Sequence, residues 1–437
     1  MFPAPISVYK INIAYILLFA CCVSVSADET LPIDPVAPAD HEPLADTVLT
    51  IDHAVSLALS NHPAIQAAET SVVRQQHLVY QVTRKPNPTV GYLASEVGNE
   101  GHAGQQGVFL SQNIVRGDKL CLDGHVQQRD VSIAAHELQV RRFRVEADAR
   151  LAFIEVAVTQ ERLKLLHRLQ TSLDRAVGTV QRLVSAGESS LSASLQSKLE
   201  ARRNAMQIQL TENQSTVARH KLATALGRDS LDQLVKATVL LPRESSVDVQ
   251  QAWADVLATS PELAVATSRL NRSQSKVRRE QAEPIPDLQT QWSIQQDAST
   301  DYTVVGIQIG VALPVRNDNT GAINAARADT WRMHHEIDAV RRSLRQRLLT
   351  TAGQLQQADQ QLKTIKGELE SLARENLLTT QRAFALGEAS YLDLLNAQRA
   401  YIRLSLDTLD LYQQRSIAES HLQTALVHAA KSPDAAR

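Results

Sequence analysis

Two periodicities alternate along this chain. Over Leu288, Thr290, Trp292 and Ile294 the apolar or β-branched positions come every second residue, separated by Gln289, Gln291, Ser293 and Gln295. After a polar turn the alternation resumes at Val305, Ile307, Ile309, Val311 and Leu313, against Gly306, Gln308, Gly310 and Ala312. A period of two marks a strand with one apolar and one polar or small face. Val90, Tyr92, Val108, Leu110 and Ile114 take equivalent places earlier, around a Gly-rich turn from Gly98 to Gly107. Each half is therefore expected to supply one hairpin of strands about ten residues long. Elsewhere the pattern is helical, over Ile51–Lys85, Asp118–Ala186 and Ser189–Leu226, then Val249–Ala282, Thr320–Leu386 and Ser390–His428. The longest would reach on the order of 100 Å at ~1.5 Å per residue. Leu392, Leu395, Ile402, Leu406 and Leu409 predict a single apolar stripe on the last helix. Narrow seams on long helices point to coiled-coil-like packing rather than a thick round core.

The two halves repeat each other. Ala54 and His62-Pro63 return as Ala252 and Ser260-Pro261, and Pro86-Asn-Pro88 as Pro284-Ile-Pro286, shifted by 198. Val140-Arg-Arg142, Gly187-Glu188 and Leu222-Ala-Thr-Ala-Leu226 return as Val340-Arg-Arg342, Gly387-Glu388 and Leu422-Gln-Thr-Ala-Leu426, shifted by 200. A unit of this length holds several elements, so the expectation is an internal duplication, two similar halves packed as partners. The first repeat is set at 48–227 with strands about 88–116, and the second at 247–430 with strands about 286–315.

Composition narrows the setting. Lys10 precedes an apolar run from Ile11 to Val25, and Val25-Ser26-Ala27 offers the small residues that a signal peptidase reads, so 1–27 is read as a secretory signal. A lipobox at Leu18–Cys21, with Cys21 lipidated, is the other reading of this segment. Residues 28–47 form a Pro-rich, acidic extended arm, and 431–437 a short tail. Removal of the signal leaves Cys121 as the one remaining cysteine, so no intrachain disulfide is expected. The formal net charge is −2 with no basic block, which argues against a nucleic-acid partner. Aromatic residues make up 4% of the chain, which suits slender helices.

No later stretch has the ~20 consecutive apolar residues of a membrane helix, so a membrane crossing would have to use strands. Strands of about ten residues fit a tilted crossing. Four per chain cannot close a barrel, and an open edge in hydrocarbon leaves backbone groups unsatisfied. Spanning strands would therefore require oligomerisation: two chains give eight strands and a filled interior, three give twelve and begin to open a lumen. The fold class expected is mainly α with a small β part: a long coiled-coil-like helical barrel plus a transmembrane β-barrel formed by a homotrimer. The competing reading is a secreted or lipid-anchored periplasmic coiled-coil scaffold whose hairpins pack on its own helices.

Several short motifs occur in a telling order. They are Leu49-Thr-Ile-Asp52-His-Ala54 with Asn61-His-Pro63, Pro86-Asn-Pro88 entering a strand, and Phe109-Leu-Ser-Gln112 within one. The segment Ala385-Leu-Gly387-Glu-Ala-Ser390-Tyr-Leu-Asp393-Leu-Leu-Asn-Ala-Gln398 completes the set. Together with the repetition, they resemble the outer-membrane efflux protein family, the TolC-like channels, from about Leu49 to His428. The Pro-Asn-Pro entry and the Ser-Gln strand look most like its cobalt–zinc–cadmium, heavy-metal efflux branch.

The resemblance implies a homotrimer in the outer membrane of a Gram-negative-type envelope, with a periplasmic helical extension and outer-membrane lipid around its barrel. It implies a passive conduit, not an enzyme, fed through a periplasmic adaptor (membrane fusion) protein by an inner-membrane pump of the resistance-nodulation-division type. Heavy-metal cations or small toxic compounds would be the cargo, with a type I protein secretion channel as the variant reading. Gly187, Ser190, Leu191, Gly387, Ser390 and Tyr391 would form the tip that meets the adaptor. Asp393 would gate the tunnel by concentrating negative charge, with Asn396 standing where a second acid can occur. Independently of the family, Gly suits the positive φ that closes a helix and Ser suits an N-cap. No catalytic or nucleotide-binding motif occurs, no cofactor is expected, and no metal site is assigned. His334-His335 are adjacent and point about 100° apart on a helix, and His102 lies in the strand turn.

Overall fold

The computed structural model describes residues 49–98, 104–229 and 248–426. The expected signal at 1–27, the arm at 28–47, the tail at 431–437 and His102 lie outside the described residues. Within them the element order helix, helix, strand, strand, helix, helix runs twice. The first pass is α1 (Ile51–Asn61), α2 (Pro63–Val82), β1 (Thr89–Ser95), β2 (Gln105–Ile114), α3 (Lys119–Ser185) and α4 (Leu191–Ala225). The second is α5 (Val249–Thr259), α6 (Pro261–Ala282), β3 (Leu288–Asp297), β4 (Thr303–Val311), α7 (Thr320–Thr364) continuing into α8 (Glu370–Ala385), and α9 (Tyr391–Leu426). Among the described residues no helix is long and apolar enough to cross a membrane.

The structure corrects the sequence reading at four places. Ile51–Lys85 and Val249–Ala282 are each two helices. His62 and Ser260 precede prolines, whose ring disfavours helical ψ in the preceding residue, and they sit at ψ 122 and 117. Pro63 and Pro261 then open the next helix, where a missing N–H costs nothing. Thr320–Leu386 is not one uniform α-helix, because five residues, Ile365–Leu369, form a π turn around Gly367. β1 has seven residues and β4 nine, against ten in β2 and β3, and Leu313 lies past the end of β4. On α9, Leu395 and Leu409 are buried as the stripe requires, but Leu392 is exposed, while Tyr391 and Leu394 are buried.

Two helix layers meet in α3. Beside the sheet, α3 packs between α2 and α6, and α6 packs on α7; at the far end it packs between α4 and α9, and α9 on α8. The core linking these parts joins Ala54 and Ala58 of α1, Ala149, Phe153 and Val156 of α3, and Ala218 and Leu222 of α4. In the second half Ala252, Leu348, Ala418 and Leu422 do the same. Alanine recurs because close approach of long helices leaves no room for larger side chains. An ion-pair ladder fixes the register of α6 against α3: Arg272 pairs with Asp130 at 2.6 Å, Arg279 with Asp123 at 2.7 Å and Arg269 with Glu137 at 2.9 Å. The acids fall seven residues apart along α3, two helical turns per rung.

Candidate functional site

The four strands form one antiparallel sheet in the order β1-β2-β3-β4, so the central pair joins the two halves of the chain. The register aligns whole rows of side chains. Tyr92 faces Val108, Val108 faces Ile294 and Ile294 faces Val305; next to them run Val90, Leu110, Trp292 and Ile307. A further row, Ile114, Leu288 and Val311, ends the face nearest the helices. Nearly all of these side chains are exposed, Val305 and Ile307 at 68% each. On the other face lie Gly91, Phe109, Ser293 and Gly306, with Leu93, Gly107, Gln295 and Val304 in the next row. Ser293 and Gln295 are buried. Glycine is required here: a Cβ on Gly107 would meet the Ile294 carbonyl oxygen at 1.9 Å, and one on Gly91 would meet the Phe109 ring at 2.4 Å. The sheet is thus inside out relative to a soluble one, with polar atoms covered and apolar rows bare. Among the described residues its outer strands, β1 and β4, each leave one edge unpaired.

Aromatic groups bracket this face. Tyr302 stands exposed in the β3–β4 turn, and at the helical end Tyr80 is exposed with the Arg84 guanidinium 3.4 Å from its ring centroid. Amphipathic rings at both limits of an apolar band are what a membrane–water boundary favours. Just inside the helical end, buried Lys119 donates to Asp287 at 2.9 Å, and the Arg116 backbone N–H donates to the same oxygen. Burial pushes the Asp287 carboxyl up, but these hydrogen bonds outweigh it and hold the group below the usual carboxylate range. The contact ties the start of α3 to the start of β3.

The second surface is the end of the molecule farthest from the sheet, where α3 turns into α4 and α8 into α9. Gly187 and Gly387 sit at φ 80 and 79. Around each, the next N–H bonds back five residues, Glu188 to Leu183 and Glu388 to Ala383, each at 2.9 Å. The glycine N–H bonds back three, to Val184 and Phe384. This pair of bonds closes a helix on a left-handed glycine. Ser190 caps α4 by accepting from the Ala193 N–H at 3.2 Å, and Ser390 caps α9 by accepting from the Asp393 N–H at the same distance. In the second turn Asp393 reciprocates, accepting from the Ser390 N–H at 3.0 Å and from its hydroxyl at 2.7 Å. These bonds, the hydroxyl's first, hold its carboxyl below the usual range.

The two hairpins stand side by side. Tyr391 and Leu395 of α9 pack with Leu173, Ala176 and Val180 of α3 and Ala201 of α4, and Phe384 meets the Tyr391 ring edge-on. Arg399 of α9 pairs with Glu200 of α4, and Gln398 donates to Ser172 of α3 at 3.1 Å. Of the residues singled out from the sequence, Gly187, Ser190, Leu191, Gly387 and Ser390 lie on the turns, and Leu191 is exposed. Tyr391 is 6% exposed; its part is to pack the two hairpins together, and burial raises its phenol's pKa. The sequence reading missed the Arg399–Glu200 and Gln398–Ser172 links because nothing local marks residues some 200 positions apart as neighbours. His334 lies beside Trp331. Among the described residues no group of three His, Cys, Asp or Glu converges as a metal site.

Comparison with known proteins places this geometry. The model of the family described as outer membrane efflux protein matches residues 253–427. Over that segment the chain resembles the outer membrane efflux protein family. The sequence of this chain is also 24% identical over 367 residues to the cobalt-zinc-cadmium resistance protein CzcC of Cupriavidus metallidurans, covering 84% of this chain and 87% of the relative. In fold it matches a CusC structure described by its transmembrane channel formation, with a TM-score of 0.72, 15% identity, and 86% of this chain against 91% of that one. It likewise matches the outer membrane protein VceC of Vibrio cholerae, with a TM-score of 0.70, 16% identity, and 87% against 95%. The family resemblance carried by the motifs therefore holds, as does the fold class of long helices with a small four-stranded sheet.

Proposed function

We propose that three copies of this efflux protein close into an outer-membrane channel, a passive conduit of a tripartite export system, with the duplicated halves alternating around it. The observation that carries the reading is the four-stranded sheet with bare apolar rows, a covered Gly, Ser and Gln face, and two unpaired edges. Pairing β4 of one copy with β1 of the next satisfies both edges and puts the apolar rows toward lipid. The ten-residue strands β2 and β3 reach about 34 Å, or about 24 Å when tilted by 45°, which matches the ~25 Å apolar band of such barrels. The helices offer a matching seam. Leu195, Leu199, Met206, Leu210 and Val217 lie exposed along α4, and Leu349, Leu369, Leu372 and Leu378 along α7 and α8, at opposite borders of the helix layer.

In this reading the turns at Gly187–Leu191 and Gly387–Ser390 meet a periplasmic adaptor, with Tyr391 supporting them from beneath, and a pump of the resistance-nodulation-division type supplies the energy. Asp393 is the gate residue. Its carboxylate stays ionised while capping α9, so three copies near an axis would favour cations. Cobalt, zinc or cadmium ions are the cargo that the CzcC relative's name supports. The scaffold alternative needs the apolar rows covered by the chain's own helices, and they are bare.

The test is single-channel conductance of the purified protein in a planar bilayer, wild type beside Asp393→Ala. Stable conductance is expected, with a lower cation preference in the variant. A folded protein that remains outside the bilayer would overturn the channel. Unchanged selectivity would remove Asp393 from the ion path while leaving the channel intact.

A further inference from the structure

One pair of soft ligands stands apart from every surface used above. Cys121, the one cysteine among the described residues, and His125 lie one turn apart at the start of α3, both exposed, with Sγ 4.0 Å from Nε2. We propose that Cys121 and His125 form a two-point binding site for a thiophilic cation of the zinc or cadmium class. The separation fits the chemistry. A metal held at about 2.3 Å from sulfur and about 2.05 Å from nitrogen, with a tetrahedral angle between them, sets the two ligand atoms about 3.6 Å apart. The observed pair needs to close by only a few tenths of an ångström, within the reach of one side-chain torsion.

The scaffold is already paid for by the fold. Residues four apart face the same side of a helix, and α3 is flanked by α2 and α6, so binding orders two side chains and no backbone. Gly124, between the two ligands, is buried against α2, where a Cβ would meet Thr83 Cγ2 at 2.7 Å. That close contact seats α3 against the end of α2, while Cys121 and His125 stay exposed beside it. The borders through which copies would join in the proposed channel are β1 and β4 with the leucine seams of α4 and of α7 and α8; the start of α3 is not among them.

On binding, the Cys121 thiol releases its proton to solvent as the metal–sulfur bond forms, and the neutral His125 ring contributes the Nε2 lone pair. Nothing is oxidised or reduced. Thiolate and imidazole select zinc, cadmium or similar ions over magnesium and calcium, which prefer oxygen. Two protein ligands leave positions for water, so the site exchanges its ion instead of locking it into the fold. Asp118 precedes the pair and Arg129 follows one turn after His125 as the flanking charges on α3.

The experiment uses the full-length protein in detergent, cadmium chloride as the probe, and the alkylation rate of Cys121 by N-ethylmaleimide, read on the peptide by mass spectrometry. Cadmium is expected to slow alkylation of the wild type. His125→Ala should need at least tenfold more cadmium for equal protection while alkylating at the wild-type rate without metal. Cys121→Ser should lose cadmium retention in equilibrium dialysis. No protection of the wild type, or equal cadmium demand in His125→Ala, overturns the site. None of these readouts depends on conductance, so the site can fail while the channel stands, and the reverse.

Discussion

At the helical tip the structure gives Asp393 a local role: it closes a reciprocal cap with Ser390. The ion-path role is the proposal above. Because the folded carboxyl is held below its ordinary value, the cap's contribution is complete above the unfolded value of about 3.9 and is lost as pH falls through the lowered folded value. Amide protection factors in the first turn of α9 should therefore fall on acidification below about pH 4, and Asp393→Asn should flatten that dependence. The equivalent turn of α4 has Ala193 in the reciprocal place and should lack it. Equal acid sensitivity in both turns would refute the assignment. The caps and glycines were legible in the sequence, since Gly followed at +3 by Ser is a local signal. The reciprocal bond was not, because a side-chain rotamer decides it.

At the scale of elements, the sheet is the decisive unit. Its alternation was legible in β3 and β4, where Gln and Gly interrupt every apolar pair, and fainter in β1 and β2. Register was not legible. A slip by one residue would have set Val108 against Gln295 in place of Ile294 and broken the apolar face. The same face gives a direct test: Ile307→Lys puts a cation in the exposed row and should cost about 2–4 kcal/mol of folding into lipid vesicles if it lies near the bilayer midplane. Gln308→Lys, on the opposite face of the same strand, should cost much less. The comparison is read from denaturant titrations of the reconstituted protein, and equal costs would mean that neither face meets lipid. The π turn at Ile365–Leu369 was invisible beforehand. Its sequence reads as ordinary helix, and the continuous α3 in the other half shows that such a length needs no interruption.

The described helices form a layer with two apolar borders. Among the described residues leucines lie exposed along α4 and along α7–α8, and single leucines lost from water contribute about 1.5–3 kcal/mol each. If the proposed trimer closes through these borders, Leu210→Glu should shift it to smaller species in sedimentation velocity while leaving its helical circular dichroism intact. A retained trimer would place the seam elsewhere. The exposed side chain makes direct unfolding of the single chain an improbable route to that result, and the dichroism checks it.

The sequence by itself determined what depends on neighbours a few residues away. Left-handed glycines closed α3 and α8, serines opened α4 and α9, and a period of two marked strands among periods near three and a half. It also carried the family resemblance, because the order of short motifs survives where overall identity is low. Only the tertiary structure decided which helices touch, that Tyr391 is a packing residue, that Arg399 reaches Glu200, and that the apolar rows of four strands share one bare face. Those facts join positions as much as 200 residues apart, and side-chain burial there is set by the closest approach of whole elements, a quantity no local pattern contains.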